Sequence, residues 1–273
     1  SLRIFIMDKI GLIAGNRKFP LLVSSAAKRA NYYVVAVAIK GDTSPKLKEF
    51  VDKIYWIGLN EFKRMIEIFK AEGITKVIMA GQISPHRLFS REIEKDEELK
   101  KLLESIKDQK ADTIFGAIAE KLKESGLELM SSTTFIEDCM PKKGTLTKVA
   151  PDFSVWEDVY FGLGLAKAIG YFDIGQTVAV KKKAIVAVEA LEGTDNLIKR
   201  AGKITRGGIT VVKVSKPKQD VRFDIPVVGL NTIKHLVKAG AVCLAIEAGK
   251  TLFIDKEESL KLADRKGISI VAV

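Results

Sequence analysis

The stretch KVSKPKQDVRFDIPVVG, residues 213–229, sets the cations Lys213, Lys216, Lys218 and Arg222 around two carboxylates, Asp220 and Asp224, four residues apart. Pro217 and Pro226 fix φ and remove backbone donors, so the chain between them cannot run as a regular central strand. The cations can neutralise a multiply charged anion, and Arg222 can fork onto phosphate oxygens. The carboxylates meet the opposite need, as ligands of a hard cation or as a base for water. Cations beside carboxylates, with no histidine or cysteine among them, suit phosphoryl chemistry in which Mg²⁺ bridges an acid and a phosphate. A self-neutralising surface loop of ion pairs is the competing explanation.

Other stretches offer polar contacts. GLIAGNRKFP places Gly11, Gly15 and Asn16 at an expected strand-to-helix junction, where backbone N–H groups could hold a phosphate or a sugar. A tight turn requiring glycine explains the same residues. Neither the GxGxxG fingerprint nor a GxxxxGK[ST] loop occurs. AGQISP ends another strand at Gly81, and Gln82, Ser84 and His86 could reach a crevice beyond the strand ends. His86 and His235 are the two histidines, too few for a His-rich two-metal phosphoesterase centre, and each is read as a surface or satisfied core residue. No GxSxG elbow supports serine catalysis. FDIGQTVAV and VEALEGTDNLIKRAG bring Asp173, Gln176, Glu189, Glu192, Thr194 and Asp195 near strand ends and a helix start. Glu189 and Glu192 could ligate a hard cation. Thr194 or Asp195 serves equally as the helix cap, with Gly202 as its stop.

The elements that must position these residues follow from periodicity. In the first half, continuous apolar runs such as IGLIAG, YYVVAVAI, KIYWIG and KVIMAG alternate with amphipathic stretches over 19–30 and 61–73 and with a long charged helical region ending at Gly126. Strands apolar on both faces imply a parallel sheet covered by helices, hence a Rossmann-like α/β domain over 1–138. The Pro-, Gly- and Lys-rich segment 139–152 reads as a linker. A second α/β domain, 153–273, opens with the helix FSVWEDVYFGLGLAKAIG. Two strands follow around Lys181–Lys183, then a helix near 194–202, a strand entering the charged stretch, a helix over 231–239, a strand over 242–247, the run TLFID, a helix over 257–267 and a last strand over 268–273.

The 273 residues carry a net charge of +11 and are 47% hydrophobic. That balance favours a globular chain with an anionic partner: a phosphorylated substrate, a nucleotide or an anionic membrane surface. Aromatic residues make up 7% and form no stacking stripe, and the lysines are spread along the chain, which argues against nucleic acid. Two cysteines without a CxxC motif point to a reducing, cytoplasmic compartment and away from structural zinc. No apolar run reaches the roughly 18 residues that a membrane span needs.

Three segments together, GYFDIGQTVAV, AIVAVEALEGTDNLIKRAG and VKVSKPKQDVRFDIPVVGLNTI, continued by AIEAGKTLFID, resemble the UDP-2,3-diacylglucosamine pyrophosphatase family of lipid A biosynthesis that is not calcineurin-like. The likeness runs from IGLIAG to the last strand. At two N-terminal positions the chain departs from the family pattern, reading Asn16-Arg17 and Ser84-Pro85. The resemblance implies a homodimeric enzyme of two α/β domains with its lipid product in the cleft between them. It implies Mg²⁺-dependent (or other divalent-cation-dependent) hydrolysis of UDP-2,3-diacylglucosamine to lipid X and UMP, with water directed at the sugar-side phosphorus. The motif KPxQDxRxDxP is where it places a catalytic aspartate, Asp220 ahead of Asp224. Carried onto this chain, Asp220 binds Mg²⁺ with Asp224 or Glu192, and Lys216 and Arg222 offset phosphoryl charge. Gly11, Gly15, Asn16, Gly81, Gln82, Gln176, Thr194, Asp195, Lys213 and Gln219 are the expected substrate contacts, and peripheral contact with the inner membrane is expected. The alternative is a nucleotide-sugar or lipid-phosphate binding protein, regulatory and without a hydrolytic step.

Overall fold

The computed structural model describes residues 7–82, 95–108 and 111–273, without the side chains of 111 and 112. The chain divides into two compact units, Ser1–Ile136 with Asp220–Asp224, and Glu137–Gln219 with Ile225–Val273.

The first unit is built on five parallel strands in the order β3-β2-β1-β4-β5: β1 (Lys9–Ala14), β2 (Tyr33–Ile39), β3 (Lys53–Ile57), β4 (Lys76–Ala80) and β5 (Glu128–Leu129). Of the runs expected as doubly buried strands, β1 and β2 are buried along almost their whole length, whereas β3, at the sheet edge, is only partly buried. Helices α1 (Phe19–Arg29) and α2 (Phe62–Ala71) connect strands. In α2, Phe62, Met65, Ile66 and Phe69 recur at helical spacing and are the buried face. The long charged helical region contains two helices, α3 (Glu97–Ser105) and α4 (Ala111–Glu124). Asp96 fixes the start of α3. Its buried carboxylate accepts from Leu99 N–H at 2.9 Å, and also from Phe62 N–H of α2 at 2.7 Å, so one side chain satisfies two helix starts.

The second unit holds a six-stranded mixed sheet in the order β6-β13-β11-β9-β7-β8. Its strands are β6 (Gly144–Thr145), β7 (Thr177–Lys181), β8 (Ala184–Val188), β9 (Thr210–Lys213), β11 (Cys243–Ile246) and β13 (Ser269–Ala272). A separate parallel pair, β10 (Val227–Val228) and β12 (Leu252–Phe253), lies beside it in sequence. Part of the segment read as linker is thus built into the unit, since β6 pairs antiparallel with β13. The helices are α5 (Phe153–Tyr171), α6 (Thr194–Thr205), α7 (Leu230–Ala239) and α8 (Lys256–Arg265). Leu197, Ile198, Ile233, Leu236 and Ala263 cover one face of the sheet, and Val159 and Ala166 of α5 cover the other. The lysine run makes the expected hairpin turn, with Lys182 and Lys183 at φ 51° and 57°. Buried Asp158 of α5 accepts both of their N–H groups, at 3.0 and 2.6 Å.

Two helix-end expectations are corrected. The N-cap of α6 is Gly193, with no capping side chain, because the Thr194 hydroxyl is drawn elsewhere. Gly202 does not stop the helix, which runs to Thr205. A Cβ at Gly202 would meet Ala239 Cα at 2.7 Å, so its role is close packing of α6 on α7.

Candidate active site

The charged stretch leaves β9 through Lys213, whose side chain is buried. Its ammonium donates to Thr194 Oγ1 at 3.0 Å and to the Val227 carbonyl at 3.1 Å. Thr194 donates in turn to Glu189 Oε1 at 2.9 Å, and the second Glu189 oxygen accepts from Gln176 N–H at 3.2 Å. Thr177 Oγ1 lies 3.3 Å from Thr194 Oγ1. A buried lysine and a buried glutamate are therefore joined through a threonine hydroxyl, which is how two interior charges are tolerated. The turn before β7 comes so close that a Cβ at Gly175 would lie 2.2 Å from the Glu189 carbonyl oxygen. Gln176 Oε1 is buried and accepts no hydrogen bond from any described residue. This network gathers Gln176, Glu189, Thr194 and Lys213 in one place in the second unit.

Farther along, Ser215 N–H donates to Glu247 at 2.5 Å, and Lys167 bridges Glu247 (2.7 Å) and the Ser215 carbonyl (2.9 Å). Gln219 Oε1 accepts from Ser215 Oγ and Lys216 N–H, each at 2.8 Å. Lys216 pairs with Asp173 at 2.8 Å. Lys218 lies over the Tyr171 ring at 5.5 Å. Lys167 and Glu247 carried no local sequence signal, because they meet the loop only through the tertiary fold.

The five residues Asp220–Asp224, expected from chain order in the second domain, pack with the first unit. Ser132 anchors them: its N–H donates to the Val221 carbonyl at 3.0 Å and its hydroxyl to the Arg222 carbonyl at 2.8 Å. Phe223 joins the apolar core there, with its ring 5.6 Å from that of Phe115. Asp224 N–H closes the turn onto the Asp220 carbonyl at 2.9 Å. Within the turn Arg222 forks onto Asp220, with Nε at 3.0 and 3.1 Å from the two oxygens and Nη2 at 2.6 Å from Oδ2. That fork, ahead of the opposing cost of burial, holds the Asp220 carboxyl below its ordinary range and raises Arg222. The predicted anion-binder and the predicted metal ligand thus satisfy one another. Their side chains are 37% and 31% exposed, so the pair is worth only about 0–1 kcal/mol.

In the first unit the sheet order reverses direction between β1 and β4, the position where open α/β sheets leave a crevice. Gly15 and Gly81 stand at the carboxyl ends of these two strands. Gly15 N–H donates to the Ala80 carbonyl and Asn16 N–H to the Gln82 carbonyl, each at 2.8 Å. Gln82 N–H reaches Asn16 Oδ1 at 3.3 Å. A Cβ at Gly15 would lie 2.5 Å from the Gln82 oxygen, and one at Gly81, whose φ is +84°, would lie 2.5 Å from the Asn16 oxygen. The four predicted residues Gly15, Asn16, Gly81 and Gln82 are brought together. Gly11 is not: it sits inside β1, where a Cβ would meet Phe69 at 2.7 Å, so its role is core packing. Ser84 and His86 lie outside the described residues.

Glu192 is paired with Arg200. Asp195 accepts from Asn231 Nδ2 at 2.9 Å and lies 3.3 Å from His235, tying α6 to α7 rather than capping α6. Among the described residues no group of three His, Cys, Asp or Glu side chains is arranged to hold a metal ion. What fits is the sparser mode in which Mg²⁺ takes one or two carboxylates and completes its shell with substrate phosphate and water. The two hard-oxygen donors of the 220–224 turn supply that number. Cys243 is buried and its thiol is pushed up to about 12 by burial, which removes it as a nucleophile.

The model of the LpxI N-terminal domain matches residues 9–139, and that of the LpxI C-terminal domain matches residues 142–271. The chain belongs to the LpxI family. A relative from Caulobacter vibrioides, named UDP-2,3-diacylglucosamine pyrophosphatase LpxI, is 28% identical over 277 residues, covering 98% of each chain. Solved structures are far more distant. The biotin carboxylase domain of a Hydrogenobacter thermophilus 2-oxoglutarate carboxylase matches 65% of this chain and 36% of its own, at 15% identity and a TM-score of 0.29. The N5-carboxyaminoimidazole ribonucleotide synthetase of Thermotoga maritima matches 70% of this chain and 43% of its own, at 17% identity and a TM-score of 0.25. Neither bears on function. In this LpxI-family chain the 220–224 turn combines a guanidinium, two carboxylates and a main-chain anchor, the parts a diphosphate and its counter-cation require.

Proposed function

We propose that the protein hydrolyses the diphosphate of UDP-2,3-diacylglucosamine with water, giving UMP and 2,3-diacylglucosamine 1-phosphate (lipid X). The observation that carries this reading is the closed Asp220–Arg222 pair, with Asp224 two residues beyond Arg222, in a chain matched along nearly its whole length by the two LpxI domain models. Arg222 leaves Asp220 for the phosphate oxygens, its planar fork matching two of them and offsetting charge that builds on them. Asp220, kept ionised by its surroundings, and Asp224 would hold Mg²⁺. When bound, that ion would neutralise the diphosphate and polarise its oxygens. The Ser132 anchor keeps the turn from moving as partners exchange, so the carboxylates stay aimed where the phosphate arrives.

The experiment is turnover of UDP-2,3-diacylglucosamine with added Mg²⁺, then with EDTA, then with Mg²⁺ restored. Release of UMP that stops and resumes supports the reading. Among the described residues no three-ligand cluster is preassembled, a feature that a lipid-phosphate binding protein without hydrolysis would share. That second reading predicts saturable binding of substrate with no UMP under any of the three conditions. The proposal extends to a homodimer, supported by the exposed aromatic side chains Phe153, Tyr160 and Phe161 along α5. Light scattering that returns the mass of one chain would remove this part.

A further inference from the structure

We infer that an apolar pocket within the first unit receives the end of one acyl chain of the substrate, an assignment that rests on the diacylated substrate proposed above. The pocket encloses about 70 Å³, and its walls carry no polar side chain. Ile39 and Met79 contribute from the carboxyl ends of β2 and β4, Met65 from α2, Leu103 from α3, and Phe115 and Ile118 from α4. Ile39 and Met65 are buried, whereas Met79, Leu103, Phe115 and Ile118 are only partly buried, so the pocket has a floor in the core and a rim reached by solvent.

Size and lining decide the class of occupant. An engineered apolar cavity of about 150 Å³ takes a benzene ring. A pocket roughly half that size takes the tapering end of an alkyl chain and has no room for a sugar or a nucleobase. A phosphate would lose its hydration there with nothing to replace it. Two methionines in the wall suit a flexible chain, since their thioethers adapt to irregular shapes.

Position supplies the second line of support. Phe115, part of the wall, is 5.6 Å ring to ring from Phe223, and Phe223 lies in the turn that carries Asp220, Arg222 and Asp224. Pocket and turn belong to the same compact unit. In a 2,3-diacylglucosamine the chains leave the two carbons that follow the diphosphate-bearing one, so an apolar site must lie beside the phosphate site. No other role in the proposed reaction uses this cavity.

The test compares the full-length wild type with Ile118→Trp, which fills the pocket, and Leu103→Ala, which widens it. Each is assayed on long-chain UDP-2,3-diacylglucosamine and on its acetylated short-chain analogue. The readout is the ratio of kcat/KM for long over short chains. It is expected to fall at least tenfold in Ile118→Trp, mainly through KM, while Leu103→Ala moves the preferred chain length upward. Equal losses on both substrates, or an unchanged ratio in both variants, would overturn the assignment. If Ile118→Trp does not fold by near-UV circular dichroism, the Leu103→Ala shift alone decides. If wild type turns over neither substrate, the proposed function fails separately. The pocket is then read by cis-parinaric acid fluorescence. Saturable binding that Leu103→Ala or Ile118→Trp alters upholds a chain-binding site, and no binding removes it.

Discussion

At the scale of single residues, the charged stretch is less free than its sequence suggests. Arg222 spends its fork on Asp220, and the account requires that fork to transfer to phosphate. Arg222→Lys keeps the charge but not the planar geometry, so kcat/KM should fall about 10- to 100-fold. A loss below threefold in steady-state assays would show that only charge matters there. A different residue contributes to acid stability. Glu72 accepts from Lys53 at 2.6 Å and from the Tyr55 hydroxyl, and these bonds, Lys53 first, lower its pKa. A carboxyl depressed in the folded state stabilises it above the unfolded value, about 4.3, and that contribution is lost as pH falls through the folded value. Urea titrations should therefore place Glu72→Gln below wild type at pH 7 by about 1 kcal/mol, with the gap closing under acid. A gap that persisted at low pH would assign the effect to packing.

At the scale of elements, close approach explains what composition could not. Gly15 and Gly81 bring the exits of β1 and β4 to within contact of one another's backbone. Gly15→Ala should cost about 1–3 kcal/mol by overpacking. Gly164 on the exposed side of α5 meets nothing within 4 Å, so Gly164→Ala should stabilise by about 0.5–1 kcal/mol. Thermal unfolding of the pair should shift Tm in opposite directions, and shifts of the same sign would contradict the packing assigned to Gly15. The strands were legible because β1, β2 and β4 are apolar at nearly every position, and α2 because its apolar spacing is helical. The break between α3 and α4 carried no glycine or proline to announce it. The two-residue strands β5, β6, β10 and β12 were too short for any period to show.

At the scale of the whole molecule, tertiary packing adds contacts that chain order does not show. Asp220–Asp224 is flanked on both sides by the second unit, yet it packs with the first through Ser132 and Phe223, contacts no local pattern encodes. The site residues were legible as types, and their pairing was not: Glu192 with Arg200, Thr194 with Glu189, and Asp195 with Asn231 are choices made by the fold. From the net charge of +11 and the exposed Phe172 and Leu191 we propose contact with an anionic lipid surface, and no helix among the described residues is long and apolar enough to cross a membrane. Co-sedimentation with anionic vesicles should exceed that with neutral ones and decline as salt shortens the Debye length below about 8 Å. Binding indifferent to both would leave the charge to solubility alone.

The most direct measurement follows UDP-2,3-diacylglucosamine by phosphorus NMR with wild type and with Asp220→Asn, each in Mg²⁺. The account predicts that wild type replaces the two diphosphate resonances with two phosphomonoester resonances, and that a folded Asp220→Asn slows this at least about 100-fold. Diphosphate resonances that persist with wild type, or a folded variant that works as fast, would contradict it.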